Sequence, residues 1–263
     1  DPPTLDPHLV TDTTSAGLIV EMFSGLVGLS SELEIVPDLA ESYDVSKNGT
    51  LFTFKLREGI LFSDGSAITA NDFEYSFNRA ANPDTESPVA ELYLGDILGV
   101  QEVLDGTSKK ISGIKVIDDR TLQIEIDAPK AYFLSKLTYP TAYVVKESNL
   151  IEGGENWTDT PVVTGPFTLE RYDLGQVLIL KRNNFYWGEK AKLDKVEFNL
   201  AGGVPMAMYE NDEIDITGVG LADLERVQNP SDPLSNDLVS VPPSFTISYI
   251  GFNVNEPPFD DPK

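Results

Sequence analysis

A chain of 263 residues with no cysteine and one histidine has few chemistries open to it. The missing thiols remove a thiolate nucleophile, an iron–sulfur cluster and cysteine-ligated zinc, and the lone imidazole removes sites built from several histidines. That histidine, His8, stands in Leu5-Asp6-Pro7-His8, where a turn or a packing role outweighs catalysis. Carboxylates are the abundant groups: 43 Asp and Glu face 19 Lys and Arg, a net charge of −24. Glycoside hydrolysis depends on the spatial separation of two carboxyl groups, and so many acids single out no pair. The same charge repels phosphate backbones, so no nucleic acid is expected as a partner.

Asp44, Ser46, Asn48 and Gly49 follow the first half of a calcium-loop pattern, but its twelfth position is Lys55 rather than a bidentate glutamate. A hairpin turn accounts for these residues better, because an alternating stretch follows directly. Asp232, Asn236 and Asp237 read as a solvated loop. No G-x-S-x-G elbow, phosphate loop or dinucleotide fingerprint occurs. Neither a metal nor a cofactor is expected, and catalysis is not. Trp157, Trp187 and the ten tyrosines could stack on a sugar or peptide, although most aromatics in such a chain belong to its core.

The elements that must position any site are read from periodicity. Residues 51–57 alternate, with Phe52, Phe54 and Leu56 on one face, and Asn48-Gly49 predicts a hairpin with residues 43–46. Thr69 and Asp72 form a capping-box signal for a helix carrying Phe73, Phe77 and Ala80, which Asn82-Pro83 stops. Strands are predicted at 113–117, 122–126, 167–172, 177–182, 196–200, 214–217, 238–241 and 246–253. Short helices are predicted at 131–137, 206–209 and 221–227. Mixed order of this kind argues for an α/β or α+β chain. No apolar run approaches the ~18 residues of a membrane span.

Several phrases occur in an order and spacing that resemble the extracytoplasmic solute-binding proteins of peptide-type ABC importers, the dipeptide and oligopeptide-binding family. They are Leu5-Asp6-Pro7-His8, Pro37-Asp38-Leu39-Ala40-Glu41-Ser42, Phe62-Ser63-Asp64-Gly65 and Ile68-Thr69-Ala70-Asn71-Asp72-Phe73. Asp118-Asp119-Arg120-Thr121-Leu122, Thr164-Gly165-Pro166-Phe167, Lys181-Arg182-Asn183 with Tyr186-Trp187, and Glu213-Ile214-Asp215 follow. The stretch from Asn82 to Gly95, with Glu102 to Gly106 after it, is similar to the oligopeptide branch.

The resemblance implies an α/β, periplasmic-binding-protein-like fold with an extra inserted subdomain, of which this chain holds only the first lobe. Residues 1–43 with 160–263 would form that lobe, 44–159 the insertion, and a second lobe would follow beyond 263. It implies a monomer outside the cytoplasm, secreted by a signal not in this chain, that captures a peptide by hinge closure and delivers it to permease subunits. A relative binding an oligosaccharide, a nickel chelate or another solute, or a sensor without a transporter, would share the same phrases. By resemblance, Thr11, Asp12 and Thr13 form an edge placed against the ligand backbone, and Thr217, Gly218 and Val219 form a second contact strip. Gly218 reads equally as a strand-end turn. Tyr93 and Tyr249 read as aromatic walls or as core residues. Chelator treatment is expected to leave the melting temperature unchanged; a loss of several degrees would restore the acidic loops as calcium sites.

Overall fold

The computed structural model describes residues 1–241 and 250–261, and the chain divides into two compact units, Asp1–Gly202 and Gly203–Lys263. The strands of the first unit are β1 (Val27–Leu29), β2 (Ile35–Pro37), β3 (Ala40–Val45), β4 (Leu51–Leu56), β5 (Ile114–Asp118), β6 (Thr121–Glu125), β7 (Phe167–Asp173), β8 (Val177–Arg182) and β9 (Lys195–Asn199). Its helices are α1 (Thr13–Met22), α2 (Ala70–Ala81), α3 (Ala90–Leu94), α4 (Val100–Leu104), α5 (Phe133–Lys136) and α6 (Glu147–Gly153). The pairings among these strands are antiparallel: β1 with β2, a four-stranded sheet in the order β3-β4-β6-β5, and a three-stranded sheet β7-β8-β9.

Alternation in β4 does what its period requires, burying Phe52, Phe54 and Leu56 and leaving Lys55 exposed. The hairpin before it closes through Gly49, whose φ of 73° suits glycine. Its polar groups satisfy one another: the Ser46 hydroxyl lies 2.6 Å from Asn48 Oδ1 and accepts the Leu51 N–H at 3.0 Å. Helix α2 begins at the expected box, where the Asp72 carboxylate accepts the Thr69 N–H at 2.7 Å. Its apolar face, Phe73 and Phe77, packs on β5 and β6 in one core with Leu94, Val100, Val103 and Phe133, and the rings of Phe52 and Phe133 meet at 4.8 Å. This is the first core.

The second core joins α1 to β7 and β8: Leu18, Ile19, Met22 and Phe23 pack with Trp157, Phe167, Leu178 and Leu180. The Thr164-Gly165-Pro166-Phe167 phrase serves the end of α1, whose last carbonyls lack helical partners. Met22 O accepts the N–H groups of Thr164 at 3.0 Å and Gly165 at 2.7 Å. A Cβ on Gly165 would stand 2.7 Å from Glu21 O, so only glycine permits this approach.

In the second unit, α7 (Pro205–Glu210) and α8 (Leu221–Val227) form as expected, with Met206 and Val227 buried. The strands expected at 214–217 and 238–241 do not form. Neither segment has a partner strand among the described residues to complete a ladder, and Ile216 is 87% exposed. Of the strand expected at 246–253, residues 246–249 lie outside the described residues and 250–253 are irregular.

Phe54→Ala removes a fully buried ring from β4 and is expected to cost about 3–5 kcal/mol in denaturant unfolding. Lys55→Ala, on the opposite face with an exposed pair to Glu41 at 3.1 Å, is expected to cost less than ~1 kcal/mol. Similar losses from both would contradict the assignment of faces.

Candidate functional site

The N-terminal segment is held by a buried ion pair. Arg79 of α2 grips Asp6 through both guanidinium branches, Nη1 donating to Oδ1 at 2.9 Å, with only 15% and 5% of the two side chains exposed. Arg79 Nη1 also donates to His8 Nδ1 at 2.8 Å, which leaves Nε2 to carry the ring proton toward Tyr143 O at 3.1 Å. His8 is wholly buried. Burial, then the Arg79 charge, depresses its pKa from 6.5 to about 4. Burial alone would raise the Asp6 carboxyl, but hydrogen bonding from Arg79 and the nearby positive charges hold it below its ordinary value. His8 is therefore a structural imidazole, as the sequence suggested.

This anchor delivers Thr11, Asp12 and Thr13 to the surface. Thr11 and Thr13 are exposed; Asp12 is half-buried and caps α1, its carboxylate accepting the Ser15 N–H at 2.8 Å. That hydrogen bond lowers the Asp12 pKa. The three residues do not form a strand, because Thr13 already belongs to the helix. The Thr11 N–H and C=O take no hydrogen-bond partner among the described residues. Tyr93, half-buried on α3, stacks face to face on Tyr139 with centroids 3.9 Å apart and planes 4° from parallel. The Tyr139 hydroxyl donates to Val10 O at 3.1 Å, so two of the sequence-expected elements, the 11–13 segment and Tyr93, meet through a residue not foreseen.

Thr217, Gly218 and Val219 lie in the second unit as irregular chain, with Gly218 and Val219 exposed. Space around Gly218 is open: a Cβ there would meet nothing within 4 Å. The only hydrogen bond there among the described residues is local, from Thr217 Oγ1 to Gly218 O at 3.4 Å. Tyr249 lies outside the described residues.

Each unit also carries a hollow. In the second unit, one of about 290 Å³ carries Glu210, Asp212, Asp215 and Asp237, with Glu210 paired to Arg226. In the first unit, a cleft of about 540 Å³ is lined by Val20, Phe23, Asp38, Tyr143, Tyr186 and Trp187, among others. No group of three His, Asp or Glu among the described residues is placed to hold a metal ion.

Residues 34–263 match the profile of the bacterial extracellular solute-binding proteins, family 5, middle region. The chain belongs to this family. It is 32% identical to the periplasmic oligopeptide-binding protein OppA of Escherichia coli K12, over 98% of this chain and 48% of that one. It is 30% identical to the probable deoxycholate-binding periplasmic protein YgiS of the same organism, over 99% of this chain and 49% of that one. Among solved structures, a periplasmic oligopeptide-binding protein of Borrelia burgdorferi superposes with a TM-score of 0.82 at 32% identity, covering 87% of this chain and 47% of that one. Listeria monocytogenes OppA bound to peptide superposes with a TM-score of 0.80 at 27% identity, covering 88% and 47%. The fold is that of the periplasmic binding proteins, and the family's members are binding proteins. The chain spans about half the length of the relatives it matches. Among the described residues no helix is long and apolar enough to cross a membrane.

The buried anchor makes stability depend on pH with a definite sign. An unfolded His8 takes up its proton near 6.5 and the folded one only near 4, so acidification between these values favours unfolding, by about 3 kcal/mol in all. Asp6, depressed in the folded state, adds a loss at still lower pH. Asp38, raised by burial to about 6, works in the opposite direction between 3.8 and 6. The readout is therefore a comparison: denaturant unfolding of His8→Gln from pH 7 to 4 should lose less stability on acidification than the parent chain. Parallel profiles would refute the buried neutral imidazole.

Proposed function

We propose that this chain captures peptides outside the cytoplasm as part of the solute-binding component of an ABC importer, which hands them to permease subunits. It does so as a monomer, without covalent chemistry, metal or cofactor. The carrying observation is the unpaired main chain at Thr11 beside the Tyr93–Tyr139 stack. An extended peptide needs main-chain partners along its backbone and flat apolar walls for its side chains, and no nucleophile. Gly218 and Val219 supply further exposed main chain in the second unit, with open space at Gly218. The proposed lobe is made of residues 1–43 and 160–263 around an inserted 44–159; the two cores of the first unit follow these bounds only in part, since Leu26, Val27, Leu39 and Ala40 join the first core and Tyr143, Val145 and Trp157 the second. Oligopeptide-binding relatives such as OppA favour a peptide. A second reading, an amphipathic steroid acid, is favoured by the probable deoxycholate-binding relative at 30% identity.

Calorimetry with a mixed library of tri- to pentapeptides, and with deoxycholate in parallel, separates these readings. The chain alone is expected to bind peptide at least ~100-fold more weakly than a protein with a second lobe, since two decades correspond to only about 2.8 kcal/mol of lost contacts. Tyr139→Ala and Gly218→Val should each weaken what binding remains, by about tenfold. Equal affinity with and without a second lobe, or binding indifferent to both substitutions, would overturn the proposal; deoxycholate bound in preference to peptide would transfer it to the second reading.

A further inference from the structure

The cleft of about 540 Å³ in the first unit combines one carboxylate with several aromatic rings. Asp38 contributes a carboxylate to it that joins none of the ion pairs found among the described residues. Gly28 faces that carboxylate: a Cβ there would stand 3.6 Å from Oδ2, so the absent side chain leaves one approach to the oxygen open. Tyr143, Tyr186 and Trp187 supply aromatic walls. The nearest cation, Arg57, is committed elsewhere. Its Nε donates to the main-chain Asp38 O at 2.6 Å, and its guanidinium lies over the Trp187 ring at 3.9 Å, where it braces the wall. The Ser24 side chain, the Gly25 main chain and the Trp187 indole turn donors toward the Asp38 carboxylate, and with the Arg57 charge they oppose the rise that burial imposes on it.

We propose that this cleft is a binding site for a small organic cation, a primary amine with an aromatic or aliphatic body, held by the Asp38 carboxylate and the rings of Tyr143, Tyr186 and Trp187. An acid in a half-closed aromatic hollow favours a charged ammonium over a neutral or anionic ligand, through direct charge pairing and the negative faces of the rings. Its volume falls in the range of small-molecule sites, ~300–1,000 Å³. Supporting this, burial raises the Asp38 carboxyl to about 6, and it also raises Glu21, whose charge reaches Tyr186 as Asp38's does. Both acids gain from an incoming positive charge. The site shares no residue with Thr11–Thr13, Tyr93 or Thr217–Val219 and stands independently of the peptide reading.

The test is calorimetry at pH 8 on the 263-residue chain with 2-phenylethylamine, and with 2-phenylethanol as the neutral analogue of the same shape. The amine is expected to bind at least tenfold more tightly than the alcohol. Asp38→Asn should erase that preference, and Val20→Trp, at a rim position 43% exposed, should block both ligands. Equal binding of the two, binding of neither, or a preference that survives Asp38→Asn overturns the proposal. Should Asp38→Asn fail to melt cooperatively, the parent ratio and Val20→Trp decide: amine binding unaffected by a tryptophan at the rim places the ligand elsewhere.

Discussion

An arginine and an aspartate taken out of water must satisfy each other, and in this protein that demand connects the two cores of the first unit. Arg79 rides on α2, whose Phe73 and Phe77 belong to the first core, while Asp6 follows Leu5 of the second. Attraction inside the protein offsets the lost hydration only when the geometry is good and the remaining polar atoms are used. Both conditions hold here: the pairing is two-pronged, Asp6 also accepts the His8 N–H at 2.9 Å, and His8 passes the network on to Tyr143 O. Removing one member would strand a buried charge, a loss of about 3–5 kcal/mol.

From that anchor the rest of the candidate peptide surface follows. The chain leaves the ion pair at His8, is caught at Val10 by the Tyr139 hydroxyl, and enters α1 at the Asp12 cap. At its other end α1 is closed by the N–H groups of Thr164 and Gly165. A helix held at both ends fixes the short exposed run before it, and an exposed main chain held still can pair with an extended ligand at a lower entropy cost. The Tyr93–Tyr139 stack stands beside that run because α3 and the segment after α5 both pack on the first core.

Charge is distributed to the same end. Most of the 43 acids lie where water solvates them, and they keep the chain strongly negative. Asp6 and Asp38 are the instructive exceptions, and they differ in one respect. Asp6 has a guanidinium bonded to its carboxylate and its pKa falls; the Asp38 carboxylate has no ion-pair partner, Arg57 being bonded to its main-chain oxygen instead, and burial outweighs its hydrogen bonds so that its pKa rises. One is paired within the fold, and the other faces a cleft.

Local elements were legible in the sequence where periodicity and capping chemistry act over a few neighbours. The β4 alternation, the Thr69–Asp72 box, the β7–β8 hairpin and the mixture of strands and helices could all be read directly. The order of the phrases pointed to the solute-binding family. Helix α1 had a readable signal, Asp12 three residues before Ser15 with Leu18, Ile19 and Met22 on one face, but the resemblance presented that segment as an edge. The expected strand at 214–217 had apolar alternation and no partner among the described residues, and pairing is a tertiary fact that no local pattern contains. Tyr139 could not be chosen among ten tyrosines, nor Asp38 among 43 acids, because stacking and desolvation are set by residues distant in sequence. The sequence by itself determined the alternating strands, the box-capped helix, the charge and the family. Only the tertiary structure decided which acid lies in water, which is paired and which faces an open cleft, since those outcomes depend on distances that the chain acquires when it folds.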